Sequence, residues 1–152
     1  MSEAVHATAV IFGATGVLIR GASGAGKSAL ALALIEQGGR LIGDDRIMLS
    51  ACNGRLVATA PDAVAGQIEL RGRGIVNVPH EQGAVIGLVA DILDEEGLER
   101  MPEPHPLTTT LLGIALPRQP VAGRSAGALR LVHAAIVALK SQPEGGLRMA
   151  QV

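Results

Sequence analysis

The sequence is poor in aromatic residues and in cysteine. Its 152 residues include no tryptophan or tyrosine, one phenylalanine and one cysteine. A single cysteine, Cys52, excludes a disulfide framework within the chain and a metal site built from several thiolates. A single aromatic ring, Phe12, provides no surface on which several nucleic-acid bases would stack. The sequence therefore argues against secreted disulfide scaffolds and against proteins that bind single-stranded nucleic acid.

The chain also lacks a strong charge of either sign and a long apolar run. Its formal net charge is -1, and 48% of its residues are hydrophobic. A net charge this small gives no general affinity for nucleic acid, and a hydrophobic fraction this large excludes intrinsic disorder. No run approaches the roughly 20 apolar residues of a membrane span, and the first residues do not resemble a secretory signal. We expect residues 1–152 to form one cytoplasmic domain with no membrane partner and no nucleic-acid partner.

Glycine, in contrast, is abundant, and one glycine-rich stretch has a known chemistry. Gly21–Ser28 reads GASGAGKS and contains Lys27, one of only two lysines in the chain. It satisfies the pattern G-x-x-x-x-G-K-[ST], in which backbone N–H groups surround phosphates, the lysine contacts the β and γ oxygens and the last hydroxyl binds Mg²⁺. The alternative is an ordinary turn with a solvated lysine. The motif predicts a nucleotide phosphate site formed by Gly21, Ala22, Ser23, Gly24, Ala25, Gly26, Lys27 and Ser28.

The residues before this motif predict an antiparallel hairpin. Thr8–Phe12 and Val17–Arg20 favour β-structure and are joined by a glycine-containing turn. A turn centred between residues 14 and 15 would place Thr8 opposite Gly21. The same register places His6 opposite Ser23, beside the predicted phosphate site.

The residues after the motif predict a parallel crossover. Lys27–Gln37 is rich in strong helix formers, and two glycines follow it. Arg40–Gly43 is then predicted as a buried strand with Asp44 and Asp45 at its carboxyl end. Ligands of open α/β sheets bind at that edge. One of the two carboxylates would bind Mg²⁺ while the other takes a proton from an attacking hydroxyl, although adjacent aspartates also begin turns.

Two further side chains are candidates for the same site. Glu69 precedes a glycine-rich turn and would add an oxygen ligand, although an isolated glutamate is more often solvated. Arg124 ends the segment Pro117–Arg124, which we predict to be a mobile connection. From there it would clamp a transferring phosphoryl group, although loop arginines too are usually solvated.

The remaining elements are predicted from local patterns. They are two strands within residues 46–60 around Asn53-Gly54, a buried strand at 84–90, a surface helical turn at 91–100, a proline-rich loop at 102–106, a strand at 107–116, and a final helix capped by Ser125. Leu129, Val132, Ile136 and Leu139 share one face of that helix, and we place His133 on its polar side.

Taken together, these motifs resemble the C-terminal kinase domain of HPr kinase/phosphorylase. The resemblance extends from His6 to about Leu139. It is carried by His6, GASGAGKS, LIGDD at 41–45, IELRGRGIVNV at 68–78 and PVAGRSAGAL at 120–129. It implies an α/β fold with a P-loop nucleotide-binding core similar to phosphoenolpyruvate carboxykinase. The sheet would be mixed, with an antiparallel hairpin before the P-loop.

The resemblance also implies an activity and roles for residues. The activity is ATP-dependent phosphorylation of a serine on the phosphocarrier HPr, with a reverse reaction in which phosphate removes that group and pyrophosphate is released. The resemblance implies that Asp44, with His6 beside it, acts as the base in phosphorylation and as the acid in the reverse reaction. It implies that Lys27 binds the β and γ phosphates and that Arg124 stabilises the transferring group. The implied Mg²⁺ ligands are Ser28, Asp45 and Glu69.

The resemblance implies a homo-oligomer as well, a hexamer, and a short form without the family's N-terminal domain. Ser125 departs from the asparagine that usually follows the family's Gly-Arg. Residues from about 141 to 152 are predicted to be a disordered tail. Two other functions stay open: a regulatory module that binds nucleotide or phosphate, and a small-molecule P-loop kinase with residues 117–124 as its lid.

Overall fold

The computed structural model describes residues 1–94, 107–122 and 126–141. Within these ranges the chain forms eleven strands, two α-helices and one short 3-10 turn. The elements are β1 (Ser2–Val5), β2 (Thr8–Phe12), β3 (Thr15–Arg20), α1 (Lys27–Glu36), β4 (Arg40–Gly43), β5 (Ile47–Cys52), β6 (Arg55–Thr59), the 3-10 turn Asp62–Val64, β7 (Gln67–Leu70), β8 (Gly74–Asn77), β9 (Gly83–Leu93), β10 (Thr108–Leu111), β11 (Ile114–Ala122) and α2 (Ala126–Ser141). Neither helix in the described ranges is long and apolar enough to cross a membrane.

Most strands belong to one mixed sheet. Its main path has the order β1-β5-β6-β9-β3-β2-β4, and β11 pairs with β9 and carries β10. The pairs β3 with β9 and β11 with β9 are parallel, whereas β2 with β3 is antiparallel. The predicted α/β fold with a mixed sheet and an antiparallel hairpin before the glycine-rich motif is confirmed.

The register of that hairpin differs from the prediction by two residues. Thr8 lies opposite Ile19, and the last pair joins Phe12 to Thr15. The turn is therefore tighter than expected, because Gly13 adopts a left-handed φ of 64° that closes it at once. The predicted pairing of Thr8 with Gly21 is wrong.

The crossover from β3 through α1 to β4 is parallel, as predicted. Both strands pair antiparallel to β2, which lies between them, so they run in the same direction. Their carboxyl ends therefore meet at one edge of the sheet. The glycine-rich motif leaves β3 at this edge, and Asp44 and Asp45 leave β4 beside it.

Alternate residues of β3 fill two hydrophobic clusters. Val17 and Ile19 pack with residues of both helices in one cluster, and Leu18 packs with residues of β5 and β6 in the other. Successive side chains of a strand point to opposite faces, so β3 is buried on both sides. The strand that carries the glycine-rich motif thus lies in the centre of the fold.

The predictions for the second half of the chain need corrections. The single strand expected at 107–116 is a hairpin of β10 and β11, and residues 117–122 belong to β11 instead of a mobile connection. The strand predicted at 84–90 extends as β9 to Leu93, so Asp91 lies within a strand and not in a surface turn. His133 is not on a polar face, since its Nε2 is buried and its ring centroid lies 5.0 Å from that of Phe12.

Other predictions are confirmed or fall outside the described residues. The hairpin around Asn53-Gly54 forms as β5 and β6, and the apolar stripe of the last helix packs on the core through Val132 and Ile136. The predicted proline-rich loop, the Ser125 cap, Arg124 and residues 142–152 of the predicted tail lie outside the described residues.

Candidate active site

The stretch Gly21–Ser28, called the glycine loop below, turns directly from β3 into α1. Gly24 has a φ of 81° and Gly26 a φ of 111°, conformations that residues with a Cβ rarely adopt. Gly26 is the N-cap of α1, and the helix begins at Lys27. The unpaired N–H groups and the positive dipole end of the first turn therefore lie at the loop, as an anion site requires.

Lys27 is held inside this loop. Its side chain is almost fully buried, with 7% of the residue exposed. The ammonium Nζ donates hydrogen bonds to the carbonyl oxygens of Gly21 at 2.9 Å and of Ala22 at 3.1 Å. The alternative of a turn with a solvated lysine does not fit this geometry.

A cavity of about 620 Å³ opens on the glycine loop and is called the site cavity below. Nine residues predicted for the site line it: His6, Ser23, Gly24, Gly26, Lys27, Ser28, Asp44, Asp45 and Glu69. Gly21 and Ala22 contribute the carbonyl groups that hold the lysine instead of lining the cavity. Arg124 falls outside the described residues.

Asp44 is fixed by three hydrogen bonds. Its Oδ1 accepts from the hydroxyls of Thr8 and Ser28, each at 2.9 Å, and its Oδ2 accepts from the backbone N–H of Glu69 at 3.1 Å. The carboxylate thus joins β2, the glycine loop and β7. Its orientation is set by all three elements.

Asp45 faces the site cavity with far fewer constraints. Its backbone has a left-handed φ of 73°, which is uncommon for a residue other than glycine and marks a functional candidate. The imidazole Nε2 of His6 lies 2.8 Å from Asp45 Oδ1, and both side chains are more than half exposed, at 58% and 60%. This exposed carboxylate–imidazole pair lies at the cavity.

Several oxygen-bearing side chains that line the site cavity are suitable ligands for a hard divalent cation. Ser28, Asp44 and Glu69 present a hydroxyl and carboxylates on adjacent elements, and Mg²⁺ bound with a nucleotide takes only one or two carboxylates from the protein. Among the described residues, no group of three or more histidine, cysteine, aspartate or glutamate side chains could hold a metal ion by itself. The residues fit a cation that phosphate oxygens also bind.

The sequence analysis assigns no role to four residues that line the cavity, and two of them, Thr8 and Arg71, have polar side chains. Thr8 is fully buried, at 0% exposed, and donates to Asp44. The sequence signal that could have identified Thr8 is a polar residue at the start of the otherwise apolar strand TAVIF. Arg71, in the motif IELRGRGIVNV, lines the cavity beside Gly24, where a Cβ added to that glycine would lie 3.4 Å from its Nη2.

A partly buried ion network lies at the base of the glycine loop. Asp91 of β9 accepts hydrogen bonds from Arg20 Nε at 2.6 Å and Nη2 at 2.7 Å, and from Arg118 Nε of β11. Burial would raise the pKa of Asp91, but the hydrogen bonds from the two guanidinium groups outweigh it and hold that pKa below its ordinary value. Arg20 directly precedes Gly21, so the network anchors the start of the loop.

Comparisons with known proteins show similarity to HPr kinases. Residues 1–91 match the sequence model of the HPr Serine kinase C-terminal domain. The HPr kinase/phosphorylase of Clostridium tetani is 40% identical over 79 residues, which make up 52% of this chain and 26% of that protein. The corresponding protein of Clostridium acetobutylicum is 38% identical over 94 residues, or 62% of this chain and 29% of that protein.

A solved structure extends the match over nearly the whole chain. The Hpr(Ser) kinase/phosphatase from Coxiella burnetii shares 30% sequence identity at a TM-score of 0.78, and the match covers 91% of this chain and 96% of that chain. The matched part of the chain spans less than a third of the length of the two clostridial relatives. With the family model matching more than half of its residues, the chain belongs to the family of HPr serine kinase C-terminal domains.

Proposed function

We propose that the chain is a serine protein kinase domain that transfers the γ-phosphoryl group of ATP to a serine of an HPr-like phosphocarrier. We further propose that it runs the reverse reaction, in which inorganic phosphate removes the group and pyrophosphate is released. One observation carries this proposal: the glycine loop and the exposed Asp45–His6 pair line the same cavity. A phosphate donor and a protein hydroxyl would meet between them.

The geometry favours Asp45 as the proton acceptor, in place of the sequence-based assignment to Asp44. Asp44 already accepts three hydrogen bonds, which hold it against the glycine loop. Asp45 pairs with His6. Because its side chain is 60% exposed, an incoming serine hydroxyl has access to it. The serine proton would pass to Asp45 while the serine oxygen bonds to the γ phosphorus and the bond to ADP breaks.

Asp44 then belongs to the cation side of the site. Ser28, Asp44 and Glu69 would hold Mg²⁺, which would neutralise charge on the phosphate oxygens. This set keeps two of the three ligands predicted from the sequence and exchanges Asp45 for Asp44. Lys27 and the N–H groups of the loop would bind the β and γ phosphates. Phosphoryl transfer needs mainly this positioning and charge neutralisation.

The reverse reaction uses the same groups. An oxygen of inorganic phosphate attacks the phosphorus of phosphoserine, the bond to the serine oxygen breaks, and that oxygen takes the proton from Asp45. By microscopic reversibility, the base of the forward direction is the acid of the reverse direction. The products are free serine on the phosphocarrier and pyrophosphate.

Purified protein mixed with HPr, ATP and Mg²⁺ tests the proposal. Mass spectrometry should detect HPr heavier by one phosphoryl group, with the modification on a serine. An HPr variant with that serine replaced by alanine is the control and should stay unmodified. ATP binding without transfer to HPr would contradict the proposal and favour the regulatory module.

The reverse reaction is tested with the product of the forward one. Serine-phosphorylated HPr and inorganic phosphate should give unmodified HPr and pyrophosphate in equal amounts. Release of phosphate without pyrophosphate would show simple hydrolysis and would contradict the proposed reverse step.

A further inference from the structure

Arg71 is held at the site cavity by a well-anchored element. It directly follows β7, whose Ile68 is fully buried in the core and whose Glu69 donates its backbone N–H to Asp44. The turn after β7 closes with a hydrogen bond from the N–H of Arg73 to the carbonyl of Leu70 at 3.1 Å. The backbone of Arg71 is therefore fixed relative to the glycine loop.

The guanidinium of Arg71 differs from the other side-chain nitrogen groups that line the cavity. Lys27 donates to carbonyl groups of its own loop, and His6 pairs with Asp45. In the described part of the chain, no carboxylate or carbonyl forms an ion pair or hydrogen bond with the Arg71 side chain. Its donors are thus available to a ligand.

The position of this guanidinium indicates what that ligand is. Nη2 lies beside Gly24, at 3.4 Å from an added Cβ, and thus next to a loop that binds phosphate. A guanidinium forms paired hydrogen bonds with phosphate oxygens. The carboxylates of Asp44 and Asp45 also line this cavity, and they would repel an entering phosphate anion. The positive charge of Arg71 beside the loop offsets that repulsion.

Building on the proposed function, we propose that Arg71 binds the terminal phosphoryl group of the nucleotide held by the glycine loop. It is a phosphate-binding residue distinct from Arg124, which the sequence resemblance indicates for the transferring group. Because charge spreads over the oxygens of the phosphoryl group during transfer, the contact strengthens in the transition state. Arg71 therefore distinguishes nucleoside triphosphate from diphosphate and accelerates transfer.

Arg73 provides a matched control for Arg71. It lies two residues along the same turn and is exposed, but it does not line the site cavity. A general effect of positive charge on nucleotide binding would be the same for both arginines. A specific contact with the terminal phosphoryl group would be seen for Arg71 alone.

Isothermal titration at constant Mg²⁺ tests the assignment with ADP and the non-hydrolysable analogue AMP-PNP. We expect Arg71→Gln to weaken AMP-PNP binding about tenfold or more and ADP binding by less than about threefold. Arg71→Lys should recover part of the AMP-PNP affinity, and Arg73→Gln should change neither affinity. An equal loss for both nucleotides, or no loss for either, would overturn the assignment, and so would an equal effect of Arg73→Gln.

These titrations need no phosphocarrier, so they separate the two proposals. If wild-type protein binds both nucleotides but does not phosphorylate HPr, the proposed function fails and the Arg71 contact is still measured. If the wild type phosphorylates HPr and Arg71→Gln keeps the normal difference between AMP-PNP and ADP, the Arg71 contact fails alone. Thermal unfolding of each variant shows whether it is folded, and Arg71→Lys replaces Arg71→Gln if the latter is not.

Discussion

The hydroxyl of Ser28 donates a hydrogen bond of 2.9 Å to Asp44 Oδ1. This contact joins the end of the glycine loop to the end of β4, although β2 lies between the two strands that carry them. It also separates the roles of two adjacent carboxylates. Asp44 is turned toward the loop, whereas Asp45, with its φ of 73°, is turned toward His6 and the open cavity.

The two aspartates should respond differently to the same substitution. Asp45→Asn removes the proton acceptor, so we expect kcat for HPr phosphorylation to fall by about 10² to 10⁴ with ATP affinity nearly unchanged. Asp44→Asn should instead weaken nucleotide binding in the presence of Mg²⁺, because its oxygens lie beside Ser28. Steady-state kinetics and calorimetry of both variants measure this. The opposite pattern would return the role of base to Asp44.

Lys27 should dominate the affinity for phosphates. Lys27→Ala removes a buried ammonium that lies within the glycine loop, so we expect ATP binding to weaken by about tenfold to a hundredfold. The chain's other lysine, Lys140, is exposed on α2, and Lys140→Ala serves as the control. Calorimetric titration with ATP compares the two variants. Equal affinities for wild type and Lys27→Ala would refute the phosphate site.

The parts of the site that were predicted from the sequence are those encoded by local patterns. Gly21–Ser28 has a motif whose backbone conformation depends on its own glycines, and the carboxyl position of Asp44 follows from the strand before it. Asn53-Gly54 likewise specified a hairpin. These features need no knowledge of distant residues.

The features that were missed depend on partners far away in the chain. Asp91 begins a charged stretch, which favours a surface position, but it pairs with Arg20, which is 71 positions away, and with Arg118. The hairpin of β10 and β11 was missed because its turn, Leu112-Gly113, has positive φ values of 49° and 79° without the asparagine or aspartate that usually signals such a turn. Prolines in β11 also argued against a strand.

Thr8 should act on the site through Asp44. Thr8→Val keeps the shape of a fully buried side chain but removes its hydrogen bond to the carboxylate. We expect the Mg²⁺ concentration needed for half-maximal transfer to rise by about threefold to tenfold. Thr8→Ser, which keeps the hydroxyl, should restore the wild-type value. A variant that loses activity equally at every Mg²⁺ concentration would show a purely structural role.

Asp91 should make the free energy of unfolding depend on pH in the acidic range. Its folded-state pKa is lowered below the ordinary 3.8, so its contribution is complete above that pH and is lost as the pH falls through the folded-state pKa. At pH 7, Asp91→Asn should lower the free energy of unfolding by about 3 kcal/mol, because it removes the carboxylate that accepts hydrogen bonds from two partly buried guanidinium groups. Urea unfolding should show this difference shrinking below pH 3.8, whereas Asp62→Asn, in the exposed 3-10 turn, should match the wild type throughout. A difference that stays constant down to pH 3 would contradict the proposed ion network.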